Sequence, residues 1–125
     1  MRLGRLKSRR QFLEITKTGH KAVTGSFVVF CRFDFVEQQR ASFHSFDCLY
    51  GLTVTKKNGI AVVRNRMKRR LRAMIRDLQD EFQPLQTAGL VFIARYRLAD
   101  TAYDDLCDEG RKVIRYLNRQ RRKSS

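Results

Sequence analysis

Residues 56–72 place eight lysine and arginine side chains within seventeen positions. Such groups recognise anions. Guanidinium forks match phosphate oxygens in geometry and stack on bases, and ammonium groups act as compact point charges. Between them Val63, Met67, Leu71, Ile75, Leu78 and Phe82 recur every third or fourth residue, the spacing of one helical face. On that helix Asn65, Arg69, Arg72 and Arg76 fall on the opposite face, with Arg66 and Lys68 on its flanks. A helix anchored by its apolar back would hold out a fixed cationic row, as binding to a folded nucleic acid requires.

Bond-making chemistry is not legible. A protein catalyst needs a positioned nucleophile, base or metal. The chain has no G-x-S-x-G, no H-E-x-x-H and no P-loop, and Gly59 is followed by Ile60-Ala61-Val62, which does not make a phosphate-cradling glycine loop. Glu14, Asp34, Asp47 and Asp77 form no pair in sequence. Cys31, Cys48 and Cys107 are odd in number and far apart, without metal spacing, which predicts reduced thiols in a cytosolic protein. His20 and His44 are isolated, and no metal site is expected at either.

Length and charge set the frame for these residues. The chain has 125 residues, enough for one domain, and at 42% hydrophobic it can bury a core. Its formal charge of +15 predicts a polyanionic partner. There is no run of 18 apolar residues, so no membrane span is expected. Met1 to Lys7 is basic with no apolar stretch after it, so no secretory signal is expected. Residues 1–7 and 119–125 read as flexible basic termini.

Several elements must position the basic row. Ser8 and Gln11 form a capping box, Phe12, Ile15 and Thr16 share a face, and Gly19 is a stop, which predicts a helix over 8–18. Ser26 to Val36 is aromatic and β-branched and predicts a strand, with Phe27, Val29, Cys31, Phe33 and Phe35 on one face. The polar stretch 37–47 reads as a hairpin connection to a second strand over 48–55. Lys56 to Gly59 is a turn, because Asn-Gly is a strong turn signal. The basic helix then runs to Phe82, with Pro84 and Gly89 marking the break. Residues 90–95 form a short apolar strand. Thr101 opens a last helix in a capping-box pattern, with Leu106, Gly110, Val113 and Leu117 facing inward. Acidic residues near its start and basic ones near its end suit the helix dipole, so that acidic cluster reads as a stabiliser. The expected fold is an α/β sandwich of about four strands and three helices. Its order is helix, strand, strand, room for one further strand, then helix, strand and helix.

The stretch Tyr50 to Gly59, followed by Ala61-Val62-Val63-Arg64-Asn65-Arg66-Met67-Lys68-Arg69-Arg70-Leu71-Arg72, resembles the signature of the bacterial ribonuclease P protein component. The likeness continues in order through the Phe-containing first helix, the Phe27-Val28-Val29-Phe30 strand, the apolar strand at 90–95 and the closing helix. The resemblance implies a two-layer α/β sandwich with a left-handed β-α-β crossover, the reverse of the general rule. It implies an accessory, non-catalytic subunit of a ribonucleoprotein endonuclease, acting in the cytoplasm. There a catalytic RNA with bound magnesium removes the 5′ leader of precursor tRNA. It implies that Arg64, Asn65, Arg66, Lys68, Arg69 and Arg72 meet the RNA subunit, and that Phe12, Phe30 and Thr53 lie in a cleft for the single-stranded leader. Lys56, Lys57 and Arg76 are further candidates for phosphate contacts. The partners are thus the catalytic RNA and precursor tRNA, with no membrane and no small-molecule substrate.

The sequence departs from the family pattern in three places. Thr16 stands where a second aromatic is often found, Ile60 replaces a usually polar residue, and the 37–47 connection is long. The competing reading is a ribosomal-type structural RNA-binding protein with no role in cleavage. A DNA-binding reading lacks a helix-turn-helix pair. A membrane-surface helix would waste an apolar face better used in packing.

Overall fold

A computed structural model describes residues 1–38 and 46–124. The elements are β1 (Leu3–Arg5), α1 (Arg9–Thr18), β2 (His20–Val23), β3 (Phe27–Arg32), a short α2 (Phe35–Gln38), β4 (Cys48–Thr53), α3 (Ala61–Asp77), β5 (Gly89–Ala94) and α4 (Tyr103–Ser124). Single 3-10 turns lie at Lys56–Asn58, Gln79–Leu85 and Tyr96–Ala99. The strands form one mixed sheet in the order β1-β4-β5-β3-β2. β1, β4 and β5 are mutually parallel neighbours, while β3 and β2 continue the sheet antiparallel. β4, α3 and β5 make the β-α-β unit to which the resemblance assigns the left-handed crossover.

Strand alternation divides the core in two. Phe27, Val29, Cys31, Cys48, Leu90 and Phe92 face the side covered by α3 and α4, and join Met67, Leu71, Met74, Leu106 and Leu117. Leu49 and Val91 face the other side and join Ile15 of α1 with Phe35. The α/β sandwich is therefore present with five strands instead of about four, and α1 covers its second face.

The helices follow their sequence signals closely. Ser8 caps α1, its hydroxyl accepting from Gln11 N–H at 3.3 Å, and the Gln11 side chain accepts from Ser8 N–H at 3.1 Å. Gly19 ends the helix through close approach: a Cβ there would lie 2.6 Å from the Ile15 carbonyl oxygen and 2.9 Å from that of Cys31. α3 stops at Asp77, five residues before the expected end, and a 3-10 turn containing Pro84 takes over. Leu78 and Phe82 remain buried, so the apolar stripe outlasts the α-helical hydrogen bonding.

Other expectations are corrected. The strand expected to reach Val36 ends at Arg32, because its partner β5 begins at Gly89, opposite that residue. Phe35 instead turns inward, where a Cβ on Gly89 would lie 2.7 Å from its ring. β3 and β4 are not a hairpin pair, since β5 lies between them. Residues 39–45 of that connection lie outside the described residues. The strand expected over 48–55 ends at Thr53. Thr101 does not cap α4: its hydroxyl donates to the Arg97 carbonyl at 2.8 Å and lies 2.7 Å from the Ser26 hydroxyl. The termini read as flexible contain β1 and the end of α4. Arg121 anchors that end, donating to the carbonyl oxygens of Pro84 (3.2 Å) and Gln86 (2.6 Å) and to the Thr87 hydroxyl (3.0 Å). Thr87 carries φ 75°, an unfavourable value for a β-branched residue, and bonds to Asp47, Val36 and Phe33 hold it there.

All three cysteines are free and buried. Burial pushes the Cys48 thiol up to about 12, and burial pushes that of Cys31 well up too, from an ordinary 9.0. The folded chain thus keeps protons that the unfolded chain releases above pH 9. These thiols leave stability unchanged below that point. Above it, they lower stability by as much as about 1.4 kcal/mol per pH unit for each thiol held protonated. Urea midpoints should therefore fall more steeply between about pH 9 and about pH 11 in the wild type than in a Cys31→Ala/Cys48→Ala variant. Parallel profiles would contradict the burial of both thiols.

Candidate nucleic-acid interface

The basic helix is launched by a turn that demands glycine. Gly59 has φ +130°, outside the range of ordinary L side chains. Lys56 and Lys57 sit exposed on the 3-10 turn before it. Ile60 occupies the N-cap with no side-chain capping bond and is 70% exposed, so the first amides of α3 have no side-chain acceptor there.

Along α3, Met67, Leu71, Met74 and Ile75 are buried. Asn65, Arg66, Arg69 and Arg76 are exposed, and Arg64, Lys68 and Arg72 are half-buried. The outward row expected from the helical wheel is thus in place. Arg64 Nε donates to the Gly59 carbonyl at 3.2 Å, folding that guanidinium back over the turn. Arg76 lies 3.7 Å from Asp77. Arg64, Arg66, Lys68, Arg69 and Arg72 form no ion pair with any described residue. Arg70, inside the same basic run, has a different job. Its guanidinium donates to the Ala99 carbonyl at 3.3 Å and to the Thr101 carbonyl, tying α3 to the turn before α4.

On the opposite face of the sheet, a groove of about 440 Å³ runs between α1 and the strands. Phe12 and Thr53 both line it, with Val91 and Ile93 as its floor. Phe12 brings the far end of its ring against β4 because residue 51 is glycine: a Cβ there would fall 2.4 Å from the ring. Sequence reasoning missed the rim, which is made by Leu6, Lys7 and Arg9 ahead of and inside the first turn of α1. The capping box was the available signal, because it fixes where those residues stand. Thr16 lines the groove where a second aromatic was expected.

Phe30 stands apart from these walls. It shares the face but sits on β3, two strand positions from β4, or about 10 Å away. The Lys21 ammonium lies 5.8 Å from its ring centroid. The structure therefore brings Phe12 and Thr53 together in the groove and packs Phe30, on β3, against the same buried cluster as Phe12.

Among the described residues, no group of three or more His, Cys, Asp or Glu is placed to hold a metal ion. No described helix is long and apolar enough to cross a membrane. The charge and aromatic surface of the described residues suit a small basic α/β protein to a nucleic-acid partner.

Comparison with known proteins narrows the class. The family model Ribonuclease P matches residues 1–118. The ribonuclease P protein component of Gluconacetobacter diazotrophicus is 35% identical over 114 residues, 91% of this chain and 90% of that protein. That of Bacillus cereus is 34% identical over 121 residues, 97% and 93% of the two chains. Two solved structures share the fold. The RNase P protein of Staphylococcus aureus has a TM-score of 0.69 at 24% identity, covering 90% of this chain and 94% of that one. The Thermotoga maritima protein has a TM-score of 0.68 at 26% identity, covering 88% and 94%. The chain belongs to the ribonuclease P protein family, the protein components of a tRNA-processing ribonucleoprotein.

The seating of Phe12 on Gly51 is open to direct test. Gly51→Ala should force the ring off the strand and destabilise the protein by about 1–3 kcal/mol in urea unfolding, as overpacking does. An unchanged midpoint would mean that the ring does not lie over residue 51.

Proposed function

We propose that this chain is the accessory subunit of ribonuclease P, binding its catalytic RNA through the outer face of α3 and holding the precursor tRNA 5′ leader in the α1 groove. The observation that carries the reading is the row Arg64, Arg66, Lys68, Arg69 and Arg72, which forms no ion pair with a described residue and is fixed by a buried stripe. A rigid row of arginines offers forks to the phosphates of a folded RNA with little ordering entropy left to lose. Asn65, on the same face, adds an amide that can donate and accept. Lys56, Lys57 and Arg76 extend the cationic surface at the two ends of the helix.

The leader is read by shape and stacking. Phe12, partly exposed in the groove, offers a ring to one unpaired base, and Phe30 on β3, packed against the same buried cluster, offers a second. Thr53 of β4 adds a hydroxyl to the groove that Phe12 lines. Every base has a π face, so such a groove takes leaders of any sequence.

The cleavage step belongs to the RNA. Magnesium favours carboxylate, carbonyl and water oxygens, and the interface is dominated by guanidinium, ammonium and phenyl groups, which are not its ligands. Magnesium is therefore held on the RNA side. Bound there, it would supply activation of water and stabilisation of charge at the scissile phosphate. The chain's own residues neutralise phosphates and position the substrate. Lower phosphate repulsion lets the assembly work at lower magnesium. The setting is cytoplasmic.

Salt titration of RNA-subunit binding tests the first half of this reading. Arg69→Ala with Arg72→Ala should weaken binding and flatten the log–log slope by about 0.7–0.9 for each lost phosphate contact. An unchanged slope would place both arginines away from the RNA. For the second half, Phe12→Ala and Phe30→Ala should each weaken binding of leader-bearing precursor by about 1–3 kcal/mol and leave mature tRNA binding as it was. Equal loss for both RNAs would remove the leader from the groove and favour a structural RNA-binding role.

A further inference from the structure

The second half of α4 carries charge that the fold does not use. From Arg111 to Lys123 it has seven cations and no acid. Arg111 is paired with Glu81 and Asp108, and Arg121 anchors the Pro84–Thr87 turn. Lys112, Arg115 and Arg119 are exposed and form no ion pair with a described residue. Dipole stabilisation acts within the last turn of a helix, and Lys112 and Arg115 stand more than two turns before Ser124. The spacings Lys112–Arg115 and Arg115–Arg119 place like charges side by side, which disfavours the isolated helix. A bound polyanion would remove that repulsion.

The same stretch walls a groove of about 460 Å³ between α4 and β2. β2 is an edge strand of the sheet, so one side of its backbone has no strand partner among the described residues. Tyr116 is 38% exposed on one wall and Val23 58% exposed on the other, with Lys112 and Lys21 lining the same groove. Glu109 is the acid in the groove, and both its oxygens are already engaged, by Ser26 N–H at 2.9 Å and the Ser26 hydroxyl at 2.8 Å. A cationic groove containing an aromatic face is the usual form of a single-strand site.

Lys21 links this groove to the one under α1. It is the register partner of Phe30, and its ammonium lies 5.8 Å from that ring. A strand of RNA leaving Phe30 would cross the β2 edge at Lys21 and meet Tyr116 next. A second copy of this chain is a poor occupant, because each copy carries a formal charge of +15.

We infer that the groove between β2 and α4 is a second single-stranded RNA site, taking the part of the 5′ extension that runs past the α1 groove. One base stacks on Tyr116, and Lys21 and Lys112 meet the neighbouring phosphates. The inference rests on the leader occupying the α1 groove.

The test measures binding of two precursor tRNAs to the assembled ribonucleoprotein. One has an unpaired extension ending within the α1 groove, and the other a longer one. Wild type should bind the longer precursor more tightly. Lys112→Ala with Tyr116→Ser should lose about fivefold or more of that gain and leave the shorter precursor unchanged, while Tyr116→Phe keeps it. Retention of the full gain by the double variant would overturn the site. Equal loss for both precursors would also overturn it, assigning this face to structured RNA. A changed sedimentation of the free double variant would assign the strand edge to a second copy. No gain with length in the wild type, together with no leader-dependent affinity at all, would sink the leader reading itself and this inference with it.

Discussion

Burial of one apolar stripe is the constraint on which this molecule depends. Met67, Leu71, Met74 and Ile75 lie against the sheet and α4. Their burial contributes roughly 6–12 kcal/mol by area, an upper estimate. Against it stand six like-charged neighbours at three- and four-residue spacing, from Arg64/Lys68 to Arg72/Arg76, costing about 1–3 kcal/mol together in an isolated helix. Packing wins, and this segment is helical because of it. The same packing turns the arginines outward and fixes them relative to one another. The cationic row is thus a consequence of the core, and a change in the core is a change in the interface.

The sheet separates two tasks. Its α3 face builds the rigid cationic row, and its α1 face builds a shallow apolar groove with charged rims. β4 touches both: Cys48 sits in one core and Leu49 in the other, and Gly51 makes room for Phe12 on the groove side. On the proposed function, a folded RNA and an unpaired strand would be held at once without competing for side chains. The formal charge of +15 suits a chain that meets polyanions.

Much of this was legible in the sequence because it rests on local rules. The stripe of α3, the capping box of α1 and the apolar run of β5 are periodic or motif signals carried by neighbouring residues. What was not legible depends on distant pairing. β1 and β2 have three and four residues, too few for alternation to register, and exist because β4 and β3 offer them an edge. The insertion of β5 between β3 and β4 joins residues some forty to nearly seventy positions apart, which no local pattern reports. The end of β3 was misjudged for the same reason: Phe33 and Phe35 suit a strand, but the partner had run out. At the interface, the outward arginines followed from the wheel. The separation of Phe30 from Thr53 could follow only from strand order.

Cleavage of a precursor tRNA by the cognate ribonuclease P RNA at low magnesium, with and without this protein, tests the central claim most directly. The account predicts that the protein restores correct 5′ processing and that the protein alone cleaves nothing. A folded protein that binds the RNA yet gives no rescue would contradict it, and would make this chain a structural RNA-binding protein.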